Sequence, residues 1–308
     1  MSHPARTRRA VLLVAALALT ACSESAPPSG KLLVVTTFYP LWEFTRTVAG
    51  PSVEVVSLVP PGVEPHDWEP SPRDLTRIHG AALFVYNGAG LESWVPRLLG
   101  EPSSSGRPLM VRATAGVLLL SGAAPTGPER GEPVPDPHVW LDPVLAQSMV
   151  ETIRAGLAQV DPAHAATYGE NARVFTARLH ALDDAFRAGL RSCTRHDIVT
   201  SHGAFAYLAR RYGLTVVPVM GLDPEAEPTP SQLAAIVRFA REKKVKYIFF
   251  ETLMSPKLAE TLAREIGART LVFNPIEGVT PAEQAAGKGY LELMEENLKN
   301  LRLALECA

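Results

Sequence analysis

The residues of this chain best placed to do chemistry are histidines. Eight occur among 308 residues, and three stand apart by their surroundings. His66 lies in Pro60-Pro61-Gly62-Val63-Glu64-Pro65-His66-Asp67-Trp68-Glu69-Pro70, an irregular loop directly after a β-rich run. His138 lies in Asp136-Pro137-His138-Val139-Trp140-Leu141-Asp142-Pro143, just before a helix that Asp142 can cap. His202 follows a short apolar run directly, in Thr200-Ser201-His202-Gly203-Ala204-Phe205. Each sits at the edge of an α/β unit, and open α/β sheets bind ligands outside the carboxyl ends of their strands. The three are 72 and 64 residues apart, so tertiary structure must assemble any site they form. Imidazole nitrogen suits Zn²⁺, and three neutral histidines with one further position make a tetrahedral set. His79, His164, His180 and His196 read as solvated surface, and His3 falls in a leader segment.

The elements that must position these histidines alternate. Runs at 32–36 (LLVVT), 53–58 (VEVVSL), 83–86 (LFVY) and, more weakly, 109–112 have buried-strand length, with helix-compatible stretches between several of them. A second series covers 198–201, 215–219, 247–251 and 270–273. Strand and helix in repeated order predict mostly parallel sheets covered on both faces. The expected fold is therefore α/β with two lobes, each large enough to bury a core of its own, at 31–160 and 193–308. Residues 161–192 lie between them. There Asp161-Pro162 marks a helix start, and Tyr168, Ala172, Phe175, Leu179, Leu182 and Phe186 recur at helical spacing. One long rigid helix joining the lobes is expected, about 40 Å in length at 1.5 Å per residue. Residues 121–137 (SGAAPTGPERGEPVPDP) can continue neither helix nor strand and predict a surface loop.

The chain opens with Arg6, Arg8 and Arg9, then an apolar run ending in Leu19-Thr20-Ala21-Cys22. This reads as an export signal over 1–21, too short for a membrane span. Leu19-Thr20-Ala21-Cys22 looks like a bacterial lipobox, in which Cys22 is lipidated and anchors the protein to a membrane; 22–30 would be a tether. Cys193 and Cys307 remain. In an oxidising compartment they could pair, or Cys193 could stay buried and free with Cys307 at a frayed end. A net charge of −2 with 46% hydrophobic residues excludes a strongly basic nucleic-acid binder and a disordered chain.

Together PHDWEP, DPHVWLDP, SHGAFAYLARRYGL and FFETLMSPKLAETLAREIG resemble the zinc and manganese substrate-binding proteins of bacterial ABC importers, the group that includes the zinc-uptake periplasmic binding proteins. The resemblance spans essentially the whole chain after the signal. It implies two α/β lobes on a helical backbone, metal held in the cleft by His66, His138 and His202, and delivery to a membrane permease, with a monomer expected. It favours Zn²⁺ over Mn²⁺, because manganese-binding members tend to place a carboxylate at the position of His202. Relatives often carry aspartate where this chain reads Asn274 in Val272-Phe273-Asn274-Pro275-Ile276, so the fourth position is expected to be water or a weak Asn274 carbonyl. Glu64, Glu69 and Glu251 are further carboxylate candidates, with Glu251 read equally as a structural residue or as one that orients a ligand histidine. Many zinc-binding members also have a histidine-rich loop before the second ligand, and 121–137 holds no histidine.

Two other classes compete. Three histidines plus water also present catalytic zinc in exported hydrolases, but no HExxH or GxSxG stands in the chain. A metal-binding surface adhesin is the other alternative.

Overall fold

Eight short parallel strands, in two sheets of four, carry the chain in a computed structural model that describes residues 30–99, 108–122 and 134–308. The expected signal, Cys22 and most of the tether lie outside those residues, as does the middle of the 121–137 loop. The first half contributes β1 (Leu32–Thr36), α1 (Tyr39–Ala49), β2 (Val53–Ser57), α2 (Pro72–Gly80), β3 (Leu83–Tyr86), α3 (Val95–Leu99), β4 (Leu109–Arg112) and α4 (Pro143–Val160). After α5 (Ala165–Leu190), the second half contributes β5 (Asp197–Thr200), α6 (Ala206–Tyr212), β6 (Thr215–Pro218), α7 (Pro230–Glu242), β7 (Tyr247–Phe250), α8 (Lys257–Ile266), β8 (Arg269–Val272), α9 (Pro281–Ala285) and α10 (Tyr290–Ala304). All eight apolar runs read from the sequence form strands. The orders are β2-β1-β3-β4 and β6-β5-β7-β8, the same pattern in each lobe. In the first sheet Val34 pairs with Val55 and with Leu83, so β1 is flanked on both sides and Val34 is fully buried.

Local chemistry sets the helix starts. Ser71 caps α2 and Thr229 caps α7 by reciprocal capping boxes with Asp74 and Gln232. Asp142 caps α4, accepting from Val144 N–H at 2.9 Å. The helix start expected at Asp161-Pro162 takes another form. Pro162–His164 make a single 3₁₀ turn before α5, and the Asp161 carboxylate accepts instead from the Tyr168 hydroxyl at 2.6 Å and pairs with His164 Nδ1 at 2.7 Å. A 3₁₀ turn at a helix N-terminus is common.

The stripe on α5 is buried along its length, from Tyr168 through Ala172, Phe175, Leu179, Leu182 and Phe186 to Leu190. It packs against α1, α4, α6 and α10. Phe44 of α1 meets Phe175 at 5.6 Å between centroids and Tyr290 of α10 at 4.9 Å, while Phe186 stacks on Tyr212 of α6 at 5.0 Å. One apolar core consequently runs through both lobes, from Val34 and Leu83 to Phe249 and Phe273. Two smaller clusters cover the other faces, around Val35, Ile78 and Phe84 in one lobe and Val199, Ile236 and Ile248 in the other. The helix between the lobes buries its stripe against both, so the main core is shared while each lobe keeps a smaller cluster of its own. By contacts, Leu32–Ala308 is one compact unit.

Cys193 and Cys307 form a disulfide that joins the chain just after α5 to the chain just after α10. At the described base of the 121–137 loop, Ser121 bridges Pro135 and Gly122 N–H donates to Val134 O at 2.8 Å. Among the described residues, no helix is long and apolar enough to cross a membrane.

Candidate metal centre

Four side chains from four loops converge between the sheets. His66 comes from the loop after β2, His138 from the segment before α4, and His202 from the turn directly after β5. Glu277, on the loop after β8, is the fourth. Their donor atoms all lie within 4.8 Å of one another. Glu277 Oε1 is 3.1 Å from His66 Nε2, 3.0 Å from His138 Nε2 and 3.3 Å from His202 Nε2. His138 Nε2 is also 3.3 Å from the Nε2 atoms of both His66 and His202. Ligands about 2.0 Å from one Zn²⁺ at tetrahedral angles are about 3.3 Å from each other, and the five edges about Glu277 and His138 are close to that spacing.

The outer nitrogens decide which lone pairs point inward. Asp136 Oδ1 accepts from His138 twice, from Nδ1 at 2.8 Å and from the backbone N–H at 3.0 Å. Glu251 Oε1, just past the end of β7, accepts from His202 Nδ1 at 2.6 Å. With the proton held on Nδ1, each Nε2 presents a lone pair to the cluster. Lone pairs facing a carboxylate oxygen at these distances repel unless a cation or a proton lies among them. That is the chemistry of a metal-ligand set.

The electrostatics agree. Burial opposes a charge on His202, but Glu251 and Glu277 outweigh it and hold its pKa well above the usual imidazole range. Burial likewise opposes charge on His138, and its hydrogen bonds to Asp136 and Glu277 prevail. Burial also opposes charge on Glu277, yet His202, with the hydrogen bonds from His138, His202 and His66, keeps its carboxyl well below the carboxylate range. Glu64 differs: burial pushes it up to about 7, helped by the nearby Glu277.

The remaining sequence candidates fall elsewhere. Both Glu64 oxygens accept from the His66 backbone N–H, at 3.0 and 2.9 Å, which fixes the His66 loop, and Glu64 Oε1 is 4.0 Å from His66 Nε2. Glu69 is exposed and pairs with Arg97 at 3.3 Å, outside the cluster. Asn274 is the one expected position that needs correcting. Its Oδ1 accepts from the Ile276 backbone N–H at 2.8 Å and its Nδ2 turns to Glu283, so the carbonyl expected at the fourth corner is engaged within its own loop. Glu277, three residues on, occupies that corner. Glu277 is not among the sequence candidates; the signal for it is a carboxylate shortly after a strand, as at Glu251 after β7. His79, His164, His180 and His196 are exposed.

Contacts from the second lobe clasp the His138 segment. Trp140 Nε1 donates to Pro275 O at 2.8 Å, the Tyr207 hydroxyl to Asp136 O at 2.9 Å and the Tyr290 hydroxyl to Trp140 O at 2.5 Å. Arg211 Nε bonds both Asp142 oxygens, at 3.0 and 2.8 Å. The His66 loop meets the Glu277 loop through Gly62 N–H and Val279 O at 2.8 Å.

Two α/β lobes on one long helix, with three imidazoles and a carboxylate gathered in the cleft, define a two-lobed binding protein with a metal-ligating site. The chain belongs to the family described as zinc-uptake complex component A, periplasmic, which matches residues 34–304. It is 42% identical over 301 residues to the high-affinity zinc uptake system protein ZnuA of Bacillus subtilis strain 168, covering 96% of this chain and 94% of that protein. It is 41% identical over 293 residues to the zinc-binding lipoprotein AdcA of Streptococcus pneumoniae, covering 93% of this chain but only 58% of that longer one. The Zn(II)-bound ZnuA-like domain of Streptococcus pneumoniae AdcA has the same fold, with a TM-score of 0.78 and 41% identity over 90% of this chain and 100% of that one. The family is a component of transport and not an enzyme family, which sets the hydrolase alternative aside.

Proposed function

We propose that the protein captures one Zn²⁺ as cargo outside the cytoplasmic membrane and delivers it to an ABC permease. The carrying observation is the convergence of His66 Nε2, His138 Nε2, His202 Nε2 and Glu277 Oε1, with edges of 3.0 to 3.3 Å about Glu277 and His138. In this reading all four are ligands, and Asp136 and Glu251 hold the protons of His138 and His202 away from the metal. Three imidazoles and one carboxylate suit zinc, whereas manganese prefers a shell richer in oxygen.

Release then turns on His66. His138 is tied to the second lobe by the contacts of Trp140, Tyr207, Tyr290 and Arg211. His66 is the ligand with the most exposed side chain, at 12%, and parting its loop from Glu277 would remove one corner while leaving the other three together. The site is reached without chemistry on the metal, which enters and leaves as the ion.

We further propose that Cys22 carries a lipid anchor, with 22–30 as tether and a monomeric body; the lipobox-like Leu19-Thr20-Ala21-Cys22 supports this. The lobe limits 31–160 and 193–308 are part of the same reading.

The test is competitive titration of the purified, metal-stripped protein with Zn²⁺ in excess Mn²⁺. One zinc per chain that survives the excess supports the function. A preference for Mn²⁺, or no binding of either, contradicts it.

A further inference from the structure

Glu277 reaches the cluster from a backbone under constraint. The residue before it, Ile276, has φ +56°, the left-handed region that a β-branched side chain avoids, and its side chain is fully buried. Such a conformation persists where the surroundings over-determine it. Here α10 supplies the determinant. The buried carboxamide of Asn297 accepts from the Asn274 N–H at 2.8 Å and donates to the Asn274 carbonyl at 2.7 Å, so one side chain pairs with both backbone groups of a single residue. The Asn274 side-chain oxygen in turn accepts from the Ile276 N–H at 2.8 Å, and Trp140 holds Pro275 O. Residues 274, 275 and 276 are each fixed by a hydrogen bond, and Glu277 follows.

Asn297 is not among the four donors. We propose that Asn297 is a positioning residue for Glu277: by clamping Asn274 it holds the left-handed turn at Ile276 and sets how closely the carboxylate meets the three imidazoles. The inference rests on Glu277 being the fourth ligand. It gives Asn274 a role as well, since its side chain relays the clamp to Ile276. Residues that orient metal ligands typically change affinity by about 10- to 100-fold when replaced.

The experiment is a zinc competition titration on wild type, Asn297→Asp, Glu277→Ala and the double variant, with the melting temperature of each recorded. Asp keeps an acceptor for the Asn274 N–H and loses the donor to the Asn274 carbonyl. The expected result is a loss of about 10-fold or more for Asn297→Asp in the wild-type background, and a change within about twofold in the Glu277→Ala background, because a clamp that acts through Glu277 has nothing left to position. Asn297→Ser serves in the same cycle if the Asp variant does not fold. An equal loss in both backgrounds, or none in either, overturns the inference while leaving the fourth ligand standing. Glu277→Ala binding zinc like wild type overturns the ligand reading and the inference together.

Discussion

The Nε2 atoms of His138 and His202, from segments on either side of the long helix α5, lie 3.3 Å apart, and each ring turns its Nδ1 proton outward to a carboxylate, Asp136 for one and Glu251 for the other. Two bases facing each other across so short a gap make physical sense when both address one cation.

Replacing ligands should separate them into two ranks. His138→Ala and His202→Ala remove fully buried donors and leave Glu277 charged among fewer partners, so zinc affinity should fall by more than about 100-fold. His66→Ala should cost less, because water can take the partly exposed corner, and should act mainly by speeding dissociation. Isothermal titration and stopped-flow chelator capture measure both. Equal losses at all three positions would refute the assigned part of His66 in release.

The outward carboxylates make a separate prediction. Asp136→Asn and Glu251→Gln keep shape but weaken the hold on the Nδ1 proton, and each should lower zinc affinity by about 10- to 100-fold with little change in melting temperature. Competition against a chelator of known affinity would reveal it. Affinity unchanged in both variants would mean that tautomer control is not needed.

Binding should depend on pH with a definite sign. Zinc requires neutral imidazoles. In the metal-free site His202 sits well above the usual imidazole range and His138 above it, whereas Glu277 stays ionised. Protons therefore compete with zinc at the histidines starting above the ordinary imidazole value of about 6.5, and affinity should weaken as pH falls into and through that range. Titrations in buffers of different ionisation enthalpy should report proton release on binding. A flat profile would contradict the protonation pattern.

How much of this was legible in the sequence follows physical lines. The strands were legible because a sheet buried on both faces needs unbroken apolar runs, and LLVVT, LFVY and YIFF supply them. The stripe of α5 was legible by period, and its length suits a helix running along both lobes, but the particular side chains it meets on α1, α6 and α10 were not legible. His66, His138 and His202 stood out because each follows a strand or precedes a capped helix. Glu277 did not, since its placement depends on the left-handed Ile276, a conformation that an isoleucine gives no reason to expect. The pairing of Cys193 with Cys307 is a fact of space: it depends on the chain ends after α5 and α10 being adjacent.

That disulfide yields a stability prediction. It closes a loop across a sequence separation of 114, for which the chain-entropy account gives about 4–5 kcal/mol. The variant with both Cys193→Ser and Cys307→Ser should melt about 10 °C lower, as followed by circular dichroism. An unchanged melting temperature would show that the bond constrains little in the unfolded chain.

The most direct measurement is zinc-edge X-ray absorption on the protein loaded with one equivalent of Zn²⁺. Three imidazoles and one carboxylate predict a four-coordinate shell of nitrogen and oxygen at about 2.0–2.1 Å with the outer-shell scattering of three histidine rings. A six-coordinate shell, or scattering from fewer than two rings, would contradict the site.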